Sequence, residues 1–244
     1  MENFILRSKN NPKIKEFKKL KDKKYRDLTS KFLVEGFHLV NEALKANLVV
    51  EILEEEHWNV YENATKVDQS IIELLAFTKT PQKVVAVCKK PTNNSVSNRV
   101  VVLNDLQDPG NIGTIIRTAK AFGFDTVIIE NIDPFNDKII RSSQGAIFET
   151  NIIETNSAYN TLLELKNQGF RIYETLLSTK AQKLKEVDFS AKKLAIVLGN
   201  EGNGISSEIQ TLSDVDVYIP IEFESLNVAS ACAIVLNEIY NNRG

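Results

Sequence analysis

"DPGNIGTIIRTAKAFG", residues 108–123, directly follows "RVVVLNDLQ", residues 99–107. The earlier run reads as a buried strand. The later one opens with Asp-Pro-Gly and becomes a helix, with Asn111 at its start and Arg117 on its second turn. An ordinary helix leaving a buried strand would carry solvent-facing filler at those positions. An amide and a guanidinium there make the strand end a candidate site.

The same passage from strand to helix recurs through the second half of the chain. Strand candidates are "RVVVLNDL", "DTVIIE", "FRIYETLL", "KLAIVLGN" and "VDVYIPI", with helical patterns between them. A long helical pattern, "LNVASACAIVLNEIYNN", closes the chain. Short β-branched runs alternating with helices predict a mostly parallel sheet covered on both faces. Such sheets bind ligands at the carboxyl ends of their strands. The loops to watch therefore follow Leu106, Leu198 and Ile221.

"KPTNNSVSNR", residues 90–99, is short and polar and lies between two strong strands, so it reads as a domain boundary. A smaller domain over residues 1–92 and a larger one over 98–244 are expected. The smaller one opens with a helix that Asn11 can cap and Pro12 can start. On one helix running through this segment, Ile14, Phe17, Tyr25 and Leu28 share a face, and Lys15, Lys19, Lys23 and Arg26 cluster on the opposite side. Strand "KFLVEG", helix "FHLVNEALKA", strand "LVVEIL", a helix near "QSIIELLAF" and strand "KVVAVC" complete a compact α/β arrangement.

The chain has 244 residues and a formal net charge of −2, which hides an asymmetry. Residues 1–31 hold eleven Lys or Arg against four acids, so this segment is +7 and the remainder −9. A basic segment on an otherwise acidic protein points to a polyanionic partner held at one end. Cys88 and Cys232 lie in apolar contexts and read as small core residues, not as a disulfide or metal ligands. No run approaches the length of a membrane span and the N-terminus lacks a long apolar stretch, so a cytoplasmic protein with neither membrane nor metal partner is expected.

The loop after the fourth strand of the larger domain reads "LGNEGNGIS", with glycines at 199, 202 and 204. From Gly199 the pattern G-x-x-x-x-G-I-S imitates a phosphate-binding loop, but Ile205 stands where the lysine must be. Glu201 between glycines is an odd choice for a mere turn. The loop "IPIEFESLNVASA" offers Ser225 or Asn227 as a cap for the final helix.

Taken in order, "NIGTIIRTAKAFGF", "IVLGNEGNGIS" and "IPIEFESLNVASACAIVLNEI" resemble the three motifs of the SpoU (TrmH) family of RNA ribose methyltransferases, of the SPOUT class. "RSSQGAIFE", residues 141–149, looks like that family's serine-glycine segment. "SKNNPKIKEFKKLKDKKYRDLTSKFLVEGFHLVNEAL" and "TKTPQKVVAV" are similar to the substrate-binding domain many members carry; residues 54–77 match least. The resemblance implies an α/β fold: a C-terminal trefoil-knotted methyltransferase domain with a parallel sheet, and a smaller N-terminal domain resembling a ribosomal-protein fold.

It also implies S-adenosyl-L-methionine as methyl donor and a ribose 2′-hydroxyl as acceptor. By position, Gly199, Ile219 and Leu226 match the family's cofactor-contacting residues. Arg117 matches the arginine that activates the hydroxyl, and Asn111 its motif partner. Arginine stays protonated in proteins, so electrostatic activation is easier to defend than literal base catalysis; the proton's destination stays open. Glu201 would orient Arg117 or the target nucleotide. Ser225 and Asn227 would hydrogen-bond Asn111, the cofactor or the RNA. Lys15, Lys19, Lys23 and Arg26 suit RNA phosphates. Ribosomal RNA is the preferred target, with transfer RNA or a non-catalytic RNA-binding role as alternatives. The family pairs its knotted domains. The final segment, apolar nearly all round (Val228, Ala231, Ala233, Ile234, Val235, Leu236, Ile239, Tyr240), fits a homodimer.

Overall fold

The computed structural model describes residues 5–92, 95–178, 180–222 and 224–242. Asn93 and Asn94 of the polar boundary, Phe223 of the third loop and the first four residues, Glu2 among them, lie outside the described residues. The chain divides into two compact units, one of Met1–Thr92 with Phe135–Phe148, the other of Asn93–Pro134 with Glu149–Gly244.

The first unit begins with α1 (Pro12–Lys19), capped by Asn11, whose side chain accepts from Lys13 N. The single long helix expected here is two helices: α2 (Lys23–Thr29) follows a break at Leu20–Asp22. The break changes which residues face outward. Leu28 is 76% exposed, and Arg26 is buried. The Arg26 Nη1 atom donates to Leu20 O at 2.8 Å and to Lys21 O at 2.7 Å, closing the end of α1. This corrects the expected basic stripe, because the guanidinium is spent on backbone carbonyls that the end of a helix leaves unpaired.

Next come β1 (Lys31–Glu35), α3 (Phe37–Lys45), β2 (Val49–Glu55), β3 (Thr65–Val67), α4 (Gln69–Leu75) and β4 (Val84–Lys89). The sheet order is β1-β4-β2-β3, antiparallel except for β2 with β3. One face of the unit buries Ile14, Phe17, Leu33, Leu53, Ile71 and Val85 in a shared core. Cys88 is buried with its thiol free, and desolvation raises its pKa.

The second unit runs through β5 (Arg99–Leu103), α5 (Pro109–Ala121) and β6 (Thr126–Glu130). The chain then supplies α6 (Asp137–Ser143) to the first unit, where Phe135 and Phe148 pack against Phe32 at ring-centroid distances of 4.9 and 6.0 Å. It continues in the second unit with β7 (Asn151–Thr155), α7 (Ala158–Asn167), β8 (Arg171–Thr175), β9 (Gln182–Lys183), β10 (Leu194–Leu198), α8 (Ser207–Gln210), β11 (Val215–Tyr218) and α9 (Val228–Asn241). The seven strands lie in the order β7-β6-β5-β10-β8-β11-β9, and all neighbours are parallel. This is the expected parallel α/β sheet, with β7 and β9 added at its edges.

Val100, Val102, Ala195, Val197 and Ile172 form the central rows of one face, covered by Leu162 and Leu165 of α7 and Ile209 of α8. Each such Val, Leu or Ile contributes roughly 1.5–3 kcal/mol by leaving water, which fixes the strand ends where the three loops begin. Among the described residues, no helix is long and apolar enough to cross a membrane. No cluster of three or more His, Cys, Asp or Glu side chains among them is placed to hold a metal ion.

Candidate active site

The three loops leave the same edge of the sheet, because β5, β10 and β11 run parallel and only β8 separates β10 from β11. Asp108 caps α5, accepting from Gly110 N at 3.2 Å and from Asn111 N at 3.3 Å, and Pro109 occupies the first turn. This capping sets where Asn111 stands. Buried Asn104 at the end of β5 ties two connections together: its Nδ2 donates to Glu130 Oε2 at 2.7 Å and its Oδ1 accepts from Ser206 N at 3.0 Å.

The second loop folds back on itself. Asn200 and Gly204 exchange backbone hydrogen bonds of 3.0 and 2.9 Å. A Cβ on Gly199 would lie 2.4 Å from Gly204 C and Ile205 N, so only glycine permits this reversal. Access for a ligand is therefore secondary to the close approach of two backbone segments. Asn200 holds the loop from its side chain. Its Oδ1 accepts from Gly202 N at 2.9 Å and Asn203 N at 3.0 Å, and its Nδ2 donates to Asp105 O at 2.7 Å.

One hydrogen-bonded chain joins all three loops. Asn227 Nδ2 donates to Asn111 Oδ1 at 2.9 Å, and Asn111 Nδ2 donates to Glu201 Oε1 at 3.0 Å. Asn227 also caps α9, its Oδ1 accepting from Ala229 N at 3.0 Å and Ser230 N at 3.3 Å, so the capping and bridging roles fall on one residue. Desolvation works to raise the pKa of Glu201. Hydrogen bonds from Asn111 and from backbone N–H groups of this region outweigh it and hold the carboxyl below its ordinary value.

A cavity of about 380 Å³ opens between these loops, lined by Gly199, Glu201, Ile219, Ser225, Leu226 and Asn227 among others. Its volume falls in the roughly 300–1,000 Å³ range of small-ligand sites. Apolar walls from Ile219, Ile221, Leu226 and Val228 face a small polar set. The three expected cofactor residues thus share one cavity with three of the five expected catalytic residues; Asn111 joins through its hydrogen bonds. Ser225 lines the cavity without a side-chain hydrogen bond among the described residues.

Arg117 stands apart. It is exposed on α5 and is not among the residues lining this cavity. Among the described residues its side chain makes no hydrogen bond or ion pair, so Glu201, expected to orient either Arg117 or the target nucleotide, does not touch it. Six residues on a helix turn through about 600°, or 240° net, which carries Arg117 away from the direction of Asn111. Thr175, Leu176 and Leu177 also line the cavity. They end and follow β8, whose carboxyl end sits between β10 and β11; the rule that ligands bind at strand ends applies to this loop as to the other three and is the signal that points to them.

Residues 98–237 match the model of the SpoU rRNA methylase family, and residues 11–86 that of the MRM3-like substrate binding domain. A Bacillus subtilis protein named 23S rRNA (guanosine(2553)-2′-O)-methyltransferase RlmP is 38% identical over 98% of this chain and 99% of its own length. An uncharacterized tRNA/rRNA methyltransferase of Synechocystis is 29% identical, covering 95% of this chain and 91% of its own. The structure of an AdoMet-bound rRNA methyltransferase from Sinorhizobium meliloti superposes with a TM-score of 0.84 at 26% identity, covering 98% of each chain. A parallel sheet with three loops gathered around one cavity, and family matches over most of the chain, lead to one assignment: the chain belongs to the SpoU rRNA methylase family.

Proposed function

We propose that this protein is an RNA methyltransferase that transfers the methyl group of S-adenosyl-L-methionine to a ribose 2′-hydroxyl, with ribosomal RNA as its substrate. The observation that carries the reading is the chain Glu201–Asn111–Asn227, which closes three separate loops around a single apolar-walled cavity.

The cavity's chemistry fits the donor. Ile219 and Leu226 supply apolar walls for its adenine, the loop at Gly199 presents backbone groups, and Ser225 and Asn227 offer polar contacts at the mouth. When bound, S-adenosylmethionine supplies a methyl group on a positively charged sulfur. The protein's share is to hold the ribose oxygen in line with that group and to ease loss of its proton. Arg117, cationic and free of other partners among the described residues, serves by holding an RNA phosphate or stabilising charge on the acceptor oxygen. Glu201 fixes Asn111, which in turn fixes Asn227, so these residues keep the loops in register.

Lys15, Lys19 and Lys23 of the first unit are exposed and suit phosphate contacts that give affinity without sequence; Arg26 is not one of them. The reading also includes domains divided at the polar segment 90–99, a cytoplasmic location, a trefoil knot in the second unit and pairing of two copies. Family membership supports the knot. Ile234 and Tyr240, 40% and 47% exposed on α9, support pairing.

The test is methyl transfer from labelled S-adenosylmethionine to transcribed ribosomal RNA fragments and to transfer RNA, with 2′-O-methyl mapping of the product. A ribose-methylated ribosomal fragment is expected. Cofactor binding with no transfer to either RNA would reject the reading.

A further inference from the structure

The loop after β10 is gripped at both ends by consecutive residues of the loop after β5. Near its start, Asn200 Nδ2 donates to Asp105 O at 2.7 Å. At its end, Ser206 N donates to Asn104 Oδ1 at 3.0 Å. Asn104 N in turn donates to Leu198 O, at the last residue of β10, at 2.9 Å.

Asp105 is held at φ 52°, a left-handed conformation uncommon for residues other than glycine. Such a cost persists where the surroundings over-determine it. Here the Asp105 carbonyl accepts from Asn200 Nδ2 and also from Gln107 Nε2 at 3.2 Å. Gln107 Nε2 donates as well to Asp105 Oδ1 at 2.9 Å, and Gln107 N donates to Glu201 Oε2 at 3.4 Å. Buried Leu106 anchors the chain between them. The helix that carries Asn111 and Arg117 begins just beyond, at Pro109, so its entry is set by what Asp105 holds.

The Asn200 side chain is divided between two tasks. Its Oδ1 accepts from Gly202 N and Asn203 N and so makes the turn of its own loop. A turn of that kind needs an acceptor, and aspartate would serve equally. The amide's N–H is what distinguishes asparagine, and it goes to the neighbouring loop. Asn200 also lines the cavity. One side chain therefore joins the cofactor wall to the segment that leads into α5.

We propose that Asn200 is a positioning residue for methyl transfer. Acting through the Asp105 carbonyl, it sets α5, and with it Asn111 and Arg117, at a fixed distance from the donor in the cavity. The proposal rests on the RNA-methylation reading. Its physical basis is that transfer in line demands close registration of donor and acceptor, whereas binding of either one alone does not.

The test uses the full chain with Asn200→Asp and Asn200→Ser. Both keep a side-chain oxygen for the turn and lose the donor to Asp105, and they differ in charge. Single-turnover transfer at saturating S-adenosylmethionine and RNA should fall about a hundredfold in each, the scale of a misplacement near 1 Å. Dissociation constants for cofactor and for RNA should each stay within about threefold, since the loss falls on the transition state. Asp105→Gly keeps the carbonyl and admits φ 52° freely, so it should transfer methyl within about threefold of the wild-type rate. Near-normal transfer by either Asn200 variant overturns the proposal. So does a loss of cofactor affinity that matches the loss of rate, which would make Asn200 a part of the cavity wall and nothing more. A fall in Asp105→Gly equal to that of the Asn200 variants would move the role to the Asp105 carboxylate and overturn it too. These outcomes leave the catalytic reading intact as long as the wild type transfers methyl; a wild type that binds cofactor and transfers none sinks that reading first and this inference with it.

Discussion

Asn111 and Glu201, ninety residues apart, meet at 3.0 Å through the amide of one and the carboxylate of the other. The bond joins the start of α5 to the loop after β10, and Asn111 passes it on to Asn227 at 2.9 Å. Asn111→Asp would set a second carboxylate against Glu201 and remove the donated hydrogen. Positioning errors of about 1 Å can cost on the order of a hundredfold in rate. A fall of that size is expected in methyl transfer, with a smaller loss of cofactor affinity. Steady-state transfer and calorimetry on the same variant check it.

Arg117→Ala tests the other half of the arrangement. The side chain is exposed and does not line the cofactor cavity, so its loss should leave cofactor affinity within a few-fold. Methyl transfer should fall by roughly two to three orders of magnitude, as when an oxyanion donor is removed. A variant with near-normal turnover would remove Arg117 from the mechanism.

Gly199→Ala should be severe at the cofactor. A methyl group 2.4 Å from Gly204 C and Ile205 N cannot fit unless the loop opens, and that loop forms a wall of the cavity. Cofactor affinity should fall more than tenfold, and urea stability should fall as well, because the displaced segment includes Ile205, which is buried in the core. Unaltered cofactor binding would show that the reversal at Gly199 is dispensable.

Arg26 and the lysines of α1 separate stability from RNA binding. Arg26→Ala removes two hydrogen bonds from a charged donor to backbone carbonyls, worth roughly 1.5–3 kcal/mol each when made to charged groups. It should lower stability by a similar few kcal/mol in urea unfolding. Lys15→Glu with Lys19→Glu should leave stability almost unchanged and weaken RNA binding. For each phosphate that no longer meets a lysine, the log–log salt slope should flatten by roughly 0.7–0.9. An unchanged slope returns these lysines to a solvated face.

The parallel sheet and its loops are legible in the sequence because buried β-branched runs and the punctuation between them carry periodic information. Edge strand β7, "NIIET", escapes such a reading because it is short and mixes apolar with polar residues at an edge. The break between α1 and α2 escapes it too, since no proline or glycine marks Leu20–Asp22; the helix ends through capping by Arg26, which no local pattern encodes. Asn111, Glu201 and Asn227 are readable as a set from motif order, but their order of contact depends on loop geometry.

Glu174 supplies a pH prediction that the sequence does not suggest. It sits fully buried in β8, between Val197 of β10 and Asp216 of β11, and neither carboxylate oxygen has a hydrogen-bond partner among the described residues. Desolvation, with a smaller push from Asp216, raises its pKa to about 7 from 4.5. The folded chain therefore holds this proton over a range where the unfolded chain has released it. Stability is highest below the unfolded pKa, falls as pH rises from about 4.5 to 7, and stays low above the folded pKa. A shift of this size corresponds to roughly 3 kcal/mol between the two limits. Glu174→Gln carries no titrating proton, so it should be more stable than the wild type at pH about 8 and closer to it at pH about 5. Urea midpoints of both proteins at those two pH values check it. A wild type whose pH dependence is matched by Glu174→Gln would assign that dependence to other groups and leave Glu174 ionised and solvated in some way this fold does not display.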